Sequence, residues 1–190
     1  MMCGGDAEEP AEAMSDARVF IAEDVLRDGT RVTIRAIRPD DKERLLQAFR
    51  LLEHDSIYTR FFSPRRDVSD AELDRAVRVD FVHEVALVVT THSESREVII
   101  ASARYIAIGD RAAEIAFVVE EDYQGRGIAS RLLVHLAAIA RAGGIDRFEA
   151  DVLSQNAPML AVFKRCGFEM KQRRDGGVMH VTLSLPAGAR

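Results

Sequence analysis

The sequence predicts a mixed α+β fold, in which a mainly antiparallel sheet contains one strand–helix–strand crossover and carries helices on both faces. The prediction rests on periodicity and on the order of the elements. Short alternating or β-branched runs indicate strands, and longer runs with apolar residues three or four apart indicate helices. Three predicted strands follow one another directly, which favours antiparallel hairpins. A strand, a helix and a strand come next, and such a crossover joins parallel strands.

The predicted elements follow in the order β-α-α-β-β-β-α-β-α-β. Acidic residues after Pro39 mark the start of the first helix, and Ser69 with Glu72 forms the capping-box pattern of the second. Paired glycines at 143–144 end the third helix. The predicted strands cover residues 30–37, 84–91, 98–107, 112–119, 148–153 and 177–185, with a polar turn from His92 to Glu97. The predicted helices cover residues 40–52, 69–78, 125–142 and 156–166.

The composition is typical of a globular protein with one hydrophobic core. Of the 190 residues, 47% are hydrophobic and 30% are charged. Residues 1–17 are rich in Ala, Glu, Gly and Asp, and we expect them to form a disordered tail. We expect residues 18–186 to form a single domain, because no repeat or linker divides them, and residues 187–190 to form a loose end.

Charge and cysteine usage argue against several classes of function. A net charge of −5 disfavours a nucleic-acid partner, because such proteins bind through a basic surface. Cys3 and Cys166 lie far apart without metal-ligand spacing, so we expect neither a disulfide framework nor a metal site. The first residues lack the pattern of a signal peptide, and no apolar run is long enough to span a bilayer. These observations predict a cytoplasmic protein with no membrane partner.

The most informative segment is Gln124-Gly-Arg-Gly-Ile-Ala129, at the junction of a predicted strand and helix. Its two glycines let backbone N–H groups approach a ligand at the helix N-terminus, where the helix dipole favours an anion. Gln124 can add a hydrogen bond and Arg126 a positive charge. The segment lacks the spacing of a Walker A loop or of a dinucleotide fold, yet it predicts a phosphate site. The alternative is an ordinary turn in which the glycines serve only the backbone.

This loop resembles the pyrophosphate loop of the GNAT superfamily, the acetyl-coenzyme A-dependent N-acetyltransferases. The later pattern Asn156…Phe163…Gly167-Phe168 and the order of the predicted elements resemble the same family. The resemblance implies acetyl-CoA as cosubstrate, its pyrophosphate on the loop and its pantetheine arm along the backbone of the preceding strand, which separates from its neighbour. The cofactor-binding residues that it implies are Phe117, Val118, Val119, Gln124, Gly125, Arg126, Gly127, Ile128, Ala129, Ser130, Asn156 and Phe163.

Glu114 is the candidate catalytic residue. It shares a strand face with Ala116 and Val118, where a charge among small apolar neighbours is unexpected. Amine acetylation needs a neutral nucleophile, whereas a lysine with a pKa of about 10.4 is protonated at neutral pH. Many members of the family carry a glutamate here, so the resemblance implies a general base that acts directly or through water. The alternative is a surface salt bridge. The acidic residues of the following turn, 120–122, are expected to be solvated.

Phe163 departs from the family pattern. Many members carry a tyrosine at this position that protonates the leaving thiolate, and phenylalanine cannot donate a proton. We therefore expect the thiolate to leave without help from residue 163. Cys166 is expected to be a small buried hydrophobe without a catalytic role, and His135 to lie exposed on the polar side of its helix.

Ser56, Tyr58, Arg60 and Phe61 resemble a segment of the bacterial protein lysine acetyltransferases of the Pat type. The resemblance implies a protein lysine as the acceptor. The sequence therefore predicts an acetyl-CoA-dependent N-acetyltransferase that acts on a primary amine, as a monomer or a homodimer. Two alternatives stay open: a small-molecule or protein N-terminal amine as the acceptor, and a catalytically silent acyl-CoA-binding regulatory protein.

Overall fold

The computed structural model describes residues 16–51, 68–93 and 96–186, which form one eight-stranded sheet with four α-helices. The strands are β1 (Ile21–Val25), β2 (Arg31–Ala36), β3 (Glu84–Ser93), β4 (Arg96–Ala107), β5 (Ala112–Val119), β6 (Arg147–Leu153), β7 (Glu169–Asp175) and β8 (Val178–Ser184). The helices are α1 (Lys42–Leu51), α2 (Asp70–Val77), α3 (Ile128–Ala142) and α4 (Ala157–Arg165). None of these helices is long and apolar enough to cross a membrane.

The strands lie in the order β1-β2-β3-β4-β5-β6-β8-β7. Strands β5 and β6 are parallel and are joined by α3, whereas the other neighbouring strands are antiparallel. The predicted α+β class, with a mainly antiparallel sheet and one crossover, is confirmed.

The two faces of the sheet are covered by different helices. Helix α3 buries Leu132, Leu133 and Leu136 completely against β3, β4 and β5, because its apolar residues recur at helical spacing. On the opposite face, α1 and α2 pack over a smaller cluster that includes Val77, Val88 and Ile99. Side chains on β5 therefore alternate between the α3 face and the face shared with α1 and α2.

Two strands were not predicted from the sequence. Strand β1 carries charges at Glu23 and Asp24, and β7 contains five charged residues in seven, so neither shows an apolar alternation. Both lie at the edges of the sheet and are held by main-chain hydrogen bonds to β2 and β8. Charged side chains are common on edge strands because they prevent pairing with another chain.

Some boundaries differ from the predicted ones. The predicted polar turn from His92 to Glu97 is largely strand, since β3 runs to Ser93 and β4 begins at Arg96. Helix α3 begins at Ile128 instead of residue 125, because Gly125 and Gly127 both have positive φ angles that a helix does not allow.

Buried charges fix the start of α1 on the sheet. The guanidinium of Arg35 on β2 donates two hydrogen bonds of 2.7 Å to Asp41, and both side chains are buried. Arg35 also pairs with Glu97 of β4, and Arg44 of α1 reaches Asp41 and Glu97. Each of these buried charges has a partner of opposite sign, which offsets the cost of burying it. Because the partners lie on different elements, the network connects α1 to β2 and β4.

Candidate functional site

The glycine loop between β5 and α3 has the geometry of a phosphate site. Gly125 and Gly127 adopt φ angles of 72° and 91°, in the left-handed region that glycine enters at little cost. Gly127 is the N-cap of α3 and provides no side-chain cap, so the first N–H groups of the helix lack an intrahelical partner. Ile128, Ala129 and Ser130 form this first turn. The loop thus brings together the residues that the sequence predicted for the pyrophosphate.

An unpredicted hairpin supports the loop. Arg126 donates to Asp28 in the β1–β2 turn and to the Asp122 carbonyl at 2.5 Å, and it lies over the Tyr123 ring. Arg131 of α3 contacts Asp24 of β1 at 2.5 Å. These acidic residues were missed, because the sequence pattern did not indicate β1. They hold two arginines next to the loop.

Beyond the loop, β5 separates from β6. The two strands pair at residues 112–114 and 147–149, whereas β5 continues alongside β4 to Val119. Past Glu114, β5 therefore has one neighbour in the sheet. Such a gap can take an extended ligand that bonds to the backbone as a strand does, so it fits a pantetheine arm.

The register identifies the backbone groups that face this gap. The Glu120 N–H donates to the Ile100 carbonyl at 3.0 Å, and Val118 lies opposite Ser102. In an antiparallel ladder, every second residue exchanges both of its backbone hydrogen bonds with the facing strand. Because Glu120 bonds to β4, so does Val118, two residues earlier. The backbone N–H and C=O groups of Phe117 and Val119 therefore point away from β4, into the gap. The Val119 carbonyl already accepts a hydrogen bond of 3.2 Å from the side-chain amide of Gln124. Cofactor binding by the backbones of Phe117 and Val119 stays a prediction. The Val118 backbone bonds to β4 instead of facing the gap, and the Val118 side chain lies on the face of α1 and α2.

Asn156 and Phe163 lie at the two ends of α4. Asn156 caps the helix by accepting the Met159 N–H at 3.2 Å. Phe163 is 1% exposed, and its ring centre lies 6.2 Å from that of Phe117. It therefore packs behind the gap, and its contact with a cofactor stays a prediction. Cys166 was predicted to be buried; it is half-buried and packs against the core. Its thiol donates to the Phe163 carbonyl, and burial raises its pKa.

Glu114 projects from β5 on the face of Ala116 and Val118. Its side chain is exposed, and among the described residues it has no ion pair or hydrogen bond. Two arginines of neighbouring strands share this face, and both pair elsewhere: Arg104 with Glu84 at 2.7 Å, and Arg147 with Glu149 at 3.2 Å. The alternative of a surface salt bridge thus finds no partner in the described part of the chain.

A cavity of about 280 Å³ opens on the same face, between α1, α2, β4 and β5. Its lining is mostly apolar and includes the Val118 side chain. A second, more polar cavity of about 450 Å³ lies beside it, toward the glycine loop. Glu120 lines both cavities. The expectation that residues 120–122 are solvated holds for the exposed Asp122 and is wrong for Glu120 and Glu121, which are half-buried. Burial raises the pKa of the Glu120 carboxyl group, with further contributions from Asp122 and Glu121.

Two further expectations have separate outcomes. Ser56, Tyr58, Arg60 and Phe61 lie outside the described residues. His135 is half-buried against the Phe20 ring at 5.1 Å, and burial lowers its pKa, so the prediction that it is exposed is wrong. The reason is again the missed β1 region, which covers this part of α3.

Comparison with known proteins identifies the family. The profile of the acetyltransferase (GNAT) family matches residues 50–168, more than half of the chain. The chain is also 34% identical over 163 residues to the acetyltransferase Pat of Mycolicibacterium smegmatis, which covers 85% of this chain and 48% of that protein. This chain therefore belongs to the GNAT acetyltransferase family. It spans about half the length of that relative.

Solved structures agree with the sequence comparison. The GNAT domain of S. lividans PAT superimposes with a TM-score of 0.79 at 38% identity, over 87% of this chain and 97% of that domain. A cAMP-binding acyltransferase from Mycobacterium smegmatis gives a TM-score of 0.62 at 31% identity, over 90% of this chain and 48% of that protein. These matches confirm the GNAT fold that the sequence predicted. Acetyl-CoA, the predicted cosubstrate, is the cofactor named for a structural neighbour of the same fold.

Proposed function

We propose that this GNAT acetyltransferase transfers the acetyl group of acetyl-CoA to a protein lysine side chain. The observation that carries the proposal is the arrangement on β5: a backbone gap on the β6 side, a phosphate-type loop at its end and carboxylates on the face that meets the cavity. The similarity to Pat over most of the chain supports a protein lysine as the acceptor.

The described residues fit acetyl-CoA. In this proposal the pyrophosphate binds the glycine loop and the first turn of α3, through the N–H groups that lack helical partners and through Arg126. The pantetheine arm lies in the gap beside Phe117 and Val119, with Asn156 and Phe163 on α4 completing that side. Acetyl-CoA supplies the acetyl thioester in this gap, and the amine must reach the thioester carbonyl there.

Glu114 acts as the general base in this proposal, directly or through water. A lysine must lose a proton before it can attack a thioester, since its ammonium form has no lone pair. Glu114 has no arginine or lysine partner among the described residues, so its carboxylate is available to receive that proton. The backbone N–H groups that face the gap are hydrogen-bond donors that can stabilise negative charge developing on the carbonyl oxygen.

The leaving thiolate receives no proton from residue 163. Phe163 has no exchangeable proton, and Cys166, which lies one helical turn away, has a raised pKa and donates to a carbonyl. A thiol has an ordinary pKa of about 8.5, so its thiolate is a fair leaving group at neutral pH. The lack of a proton donor at residue 163 also favours the second candidate function, an acyl-CoA-binding regulatory protein without turnover.

A thiol-release assay with acetyl-CoA tests the proposal. The protein is incubated with a lysine peptide, a peptide with a free N-terminus, small alkylamines and an acceptor protein mixture in parallel. We expect release that depends on an acceptor with a lysine side chain. Release that requires only the N-terminal amine or a particular small amine would favour those alternatives, and slow hydrolysis without acceptor dependence would favour the regulatory protein. A cytoplasmic location and a monomeric or homodimeric state remain predictions.

A further inference from the structure

Glu120 occupies a position that the proposed reaction does not use. It follows β5 directly and is anchored by its N–H, which donates to the Ile100 carbonyl at 3.0 Å. Its side chain lies where the apolar and the polar cavity meet. Among the described residues, the carboxylate accepts no hydrogen bond and pairs with no cation. A half-buried carboxylate without a partner is costly, and a bound cation would remove that cost.

Most cations around Glu120 pair with other carboxylates, so Glu120 can bind a cation from a ligand. Burial raises the pKa of the Glu120 carboxyl group, and the negative charges of Asp122 and Glu121 on the same turn raise it further. The arginines of the two cavities on other elements are mostly engaged elsewhere: Arg44 of α1 pairs with Asp41 and Glu97, Arg104 of β4 with Glu84, and Arg126 with Asp28. The remaining charged residues lining the cavities are Glu72, which accepts the capping hydrogen bonds of Ser69, and the exposed Arg75, both on α2.

The spacing along β5 separates Glu120 from the reacting amine. Val118 lines the same cavity and lies on the same face, two residues earlier and therefore about 7 Å away along the strand. Glu114 lies four residues before Val118 on that face, about 13 Å away. An amine that reacts near Val118 therefore has Glu114 on one side, at a distance that water must bridge for proton transfer, and Glu120 on the other.

We propose that Glu120 binds a second positive charge on the acceptor, so that the site prefers an amine that carries another cation a few ångströms away. This inference rests on the proposed acetyl transfer and names the class of acceptor: a lysine with a neighbouring basic group, or a diamine. Glu120 is a specificity residue in this assignment, and it leaves the reacting nitrogen free. An ion pair at the reacting nitrogen would raise the pKa of the amine and slow its deprotonation.

The preference depends on pH with a defined sign. Because the pKa of Glu120 is raised, its carboxylate becomes protonated at a higher pH than that of an ordinary glutamate. Protonation removes the charge that attracts the second cation. The preference is therefore present above the pKa of Glu120, as long as the second amine stays protonated below its own pKa of about 10.4, and it fades as the pH falls through the pKa of Glu120.

Matched acceptors test the inference. The probes are 1,5-diaminopentane, 5-aminopentan-1-ol and n-pentylamine, which share a reacting amine and a chain length. In the wild-type protein we expect a KM for the diamine roughly tenfold below that of either monoamine, with similar kcat, since a charge-assisted hydrogen bond is added in binding. Glu120→Gln should bring the three KM values together. Glu120→Asp, which keeps the charge, should retain part of the preference.

Three controls make the result decisive. Asp122→Asn removes an exposed carboxylate on the same turn and should keep the preference, which excludes a general effect of negative charge. Glu114→Gln should lower kcat for all three amines and leave the ratio of their KM values unchanged. Thermal melting checks that each variant folds. A ratio that survives Glu120→Gln overturns the inference, whereas a wild-type protein that acetylates none of the amines or lysine peptides overturns the proposed function instead.

Discussion

Glu114 on β5 and Glu149 on β6 are the last residues to pair across the two parallel strands before these separate. They stand at the same level of the sheet, but their surroundings differ. Glu149 contacts Arg147 at 3.2 Å, whereas Glu114 has no cation partner among the described residues. Within the described part of the chain, Glu114 is therefore a carboxylate without an ion pair at the start of the gap, and Glu149 is a comparable carboxylate that already has one.

We expect Glu114→Gln to lower acetyl transfer by roughly 10²–10⁴-fold, because the amide keeps the shape of the side chain and cannot accept the proton. The affinity for acetyl-CoA should change little, and the acidic limb of the pH–rate profile should disappear. Steady-state kinetics across pH measure both effects. Glu149→Gln is the matched control and should retain most of the activity. Equal rates for the wild type and Glu114→Gln, where chemistry limits turnover, would exclude Glu114 as the base.

The sequence predicted those parts of the fold that depend on apolar periodicity and glycine placement. The crossover, the glycine loop and the faces of β5 could be predicted, since buried side chains and positive φ angles leave a pattern in the chain. Strands β1 and β7 could not, because edge strands are held by main-chain hydrogen bonds and carry charged side chains. The burial of Glu120 was also missed, since it depends on α1 and α2 packing over the end of β5.

Gly127→Val should abolish the rise in melting temperature that coenzyme A causes, because a ligand that binds the native state stabilises it by mass action. A β-carbon at this position would lie 2.6 Å from the Arg131 guanidinium, and valine is strained at a φ of 91°. Gly144→Val is the control, since Gly144 has a φ of 86° with open space around it at the other end of α3. Both variants should lose about 1–3 kcal/mol of stability from backbone strain. Only Gly127→Val should lose the response to coenzyme A; a full thermal shift in that variant would contradict the loop assignment.

The buried pair of Arg35 and Asp41 should dominate the acid sensitivity of α1. Burial alone would raise the pKa of Asp41, but hydrogen bonds from Arg35 and from the Arg38 N–H hold it below its ordinary value. A carboxyl group with a lowered pKa stabilises the fold above the pKa of the unfolded chain. This stabilisation is lost as the pH falls below about 4 and through the lower folded pKa.

Asp41→Ala should therefore lower the free energy of unfolding by about 3–5 kcal/mol at pH 7, because it leaves the buried Arg35 without its main partner. Chemical denaturation measures the change. The loss should shrink as the pH falls below about 4, because the unfolded wild-type chain takes up the Asp41 proton there before the folded chain does. Asp40→Ala removes an adjacent exposed carboxylate and should cost no more than about 0.5 kcal/mol. If the free energy of unfolding fell by similar amounts in the two variants, the buried Arg35–Asp41 pair would contribute little to stability.

Phe163→Tyr tests whether a proton donor for the thiolate would help this enzyme. The side chain of Phe163 is 1% exposed and packs against Phe117, so the added hydroxyl must find a partner in a closed environment. We expect the free energy of unfolding to fall by about 1–3 kcal/mol. Phe168→Tyr is the matched control, since Phe168 is partly exposed and its hydroxyl can reach water.

The rate of acetyl transfer in Phe163→Tyr should stay within about tenfold of the wild type, because a thiolate leaves readily at neutral pH and gains little from an acid. Single-turnover kinetics measure the chemical step, and the thermal shift with coenzyme A measures binding. A gain well above tenfold would mean that protonation limits the wild-type enzyme and that departure without an acid is the wrong description. A loss of coenzyme A binding with normal folding would instead identify Phe163 as the wall against which Phe117 and the pantetheine arm are held.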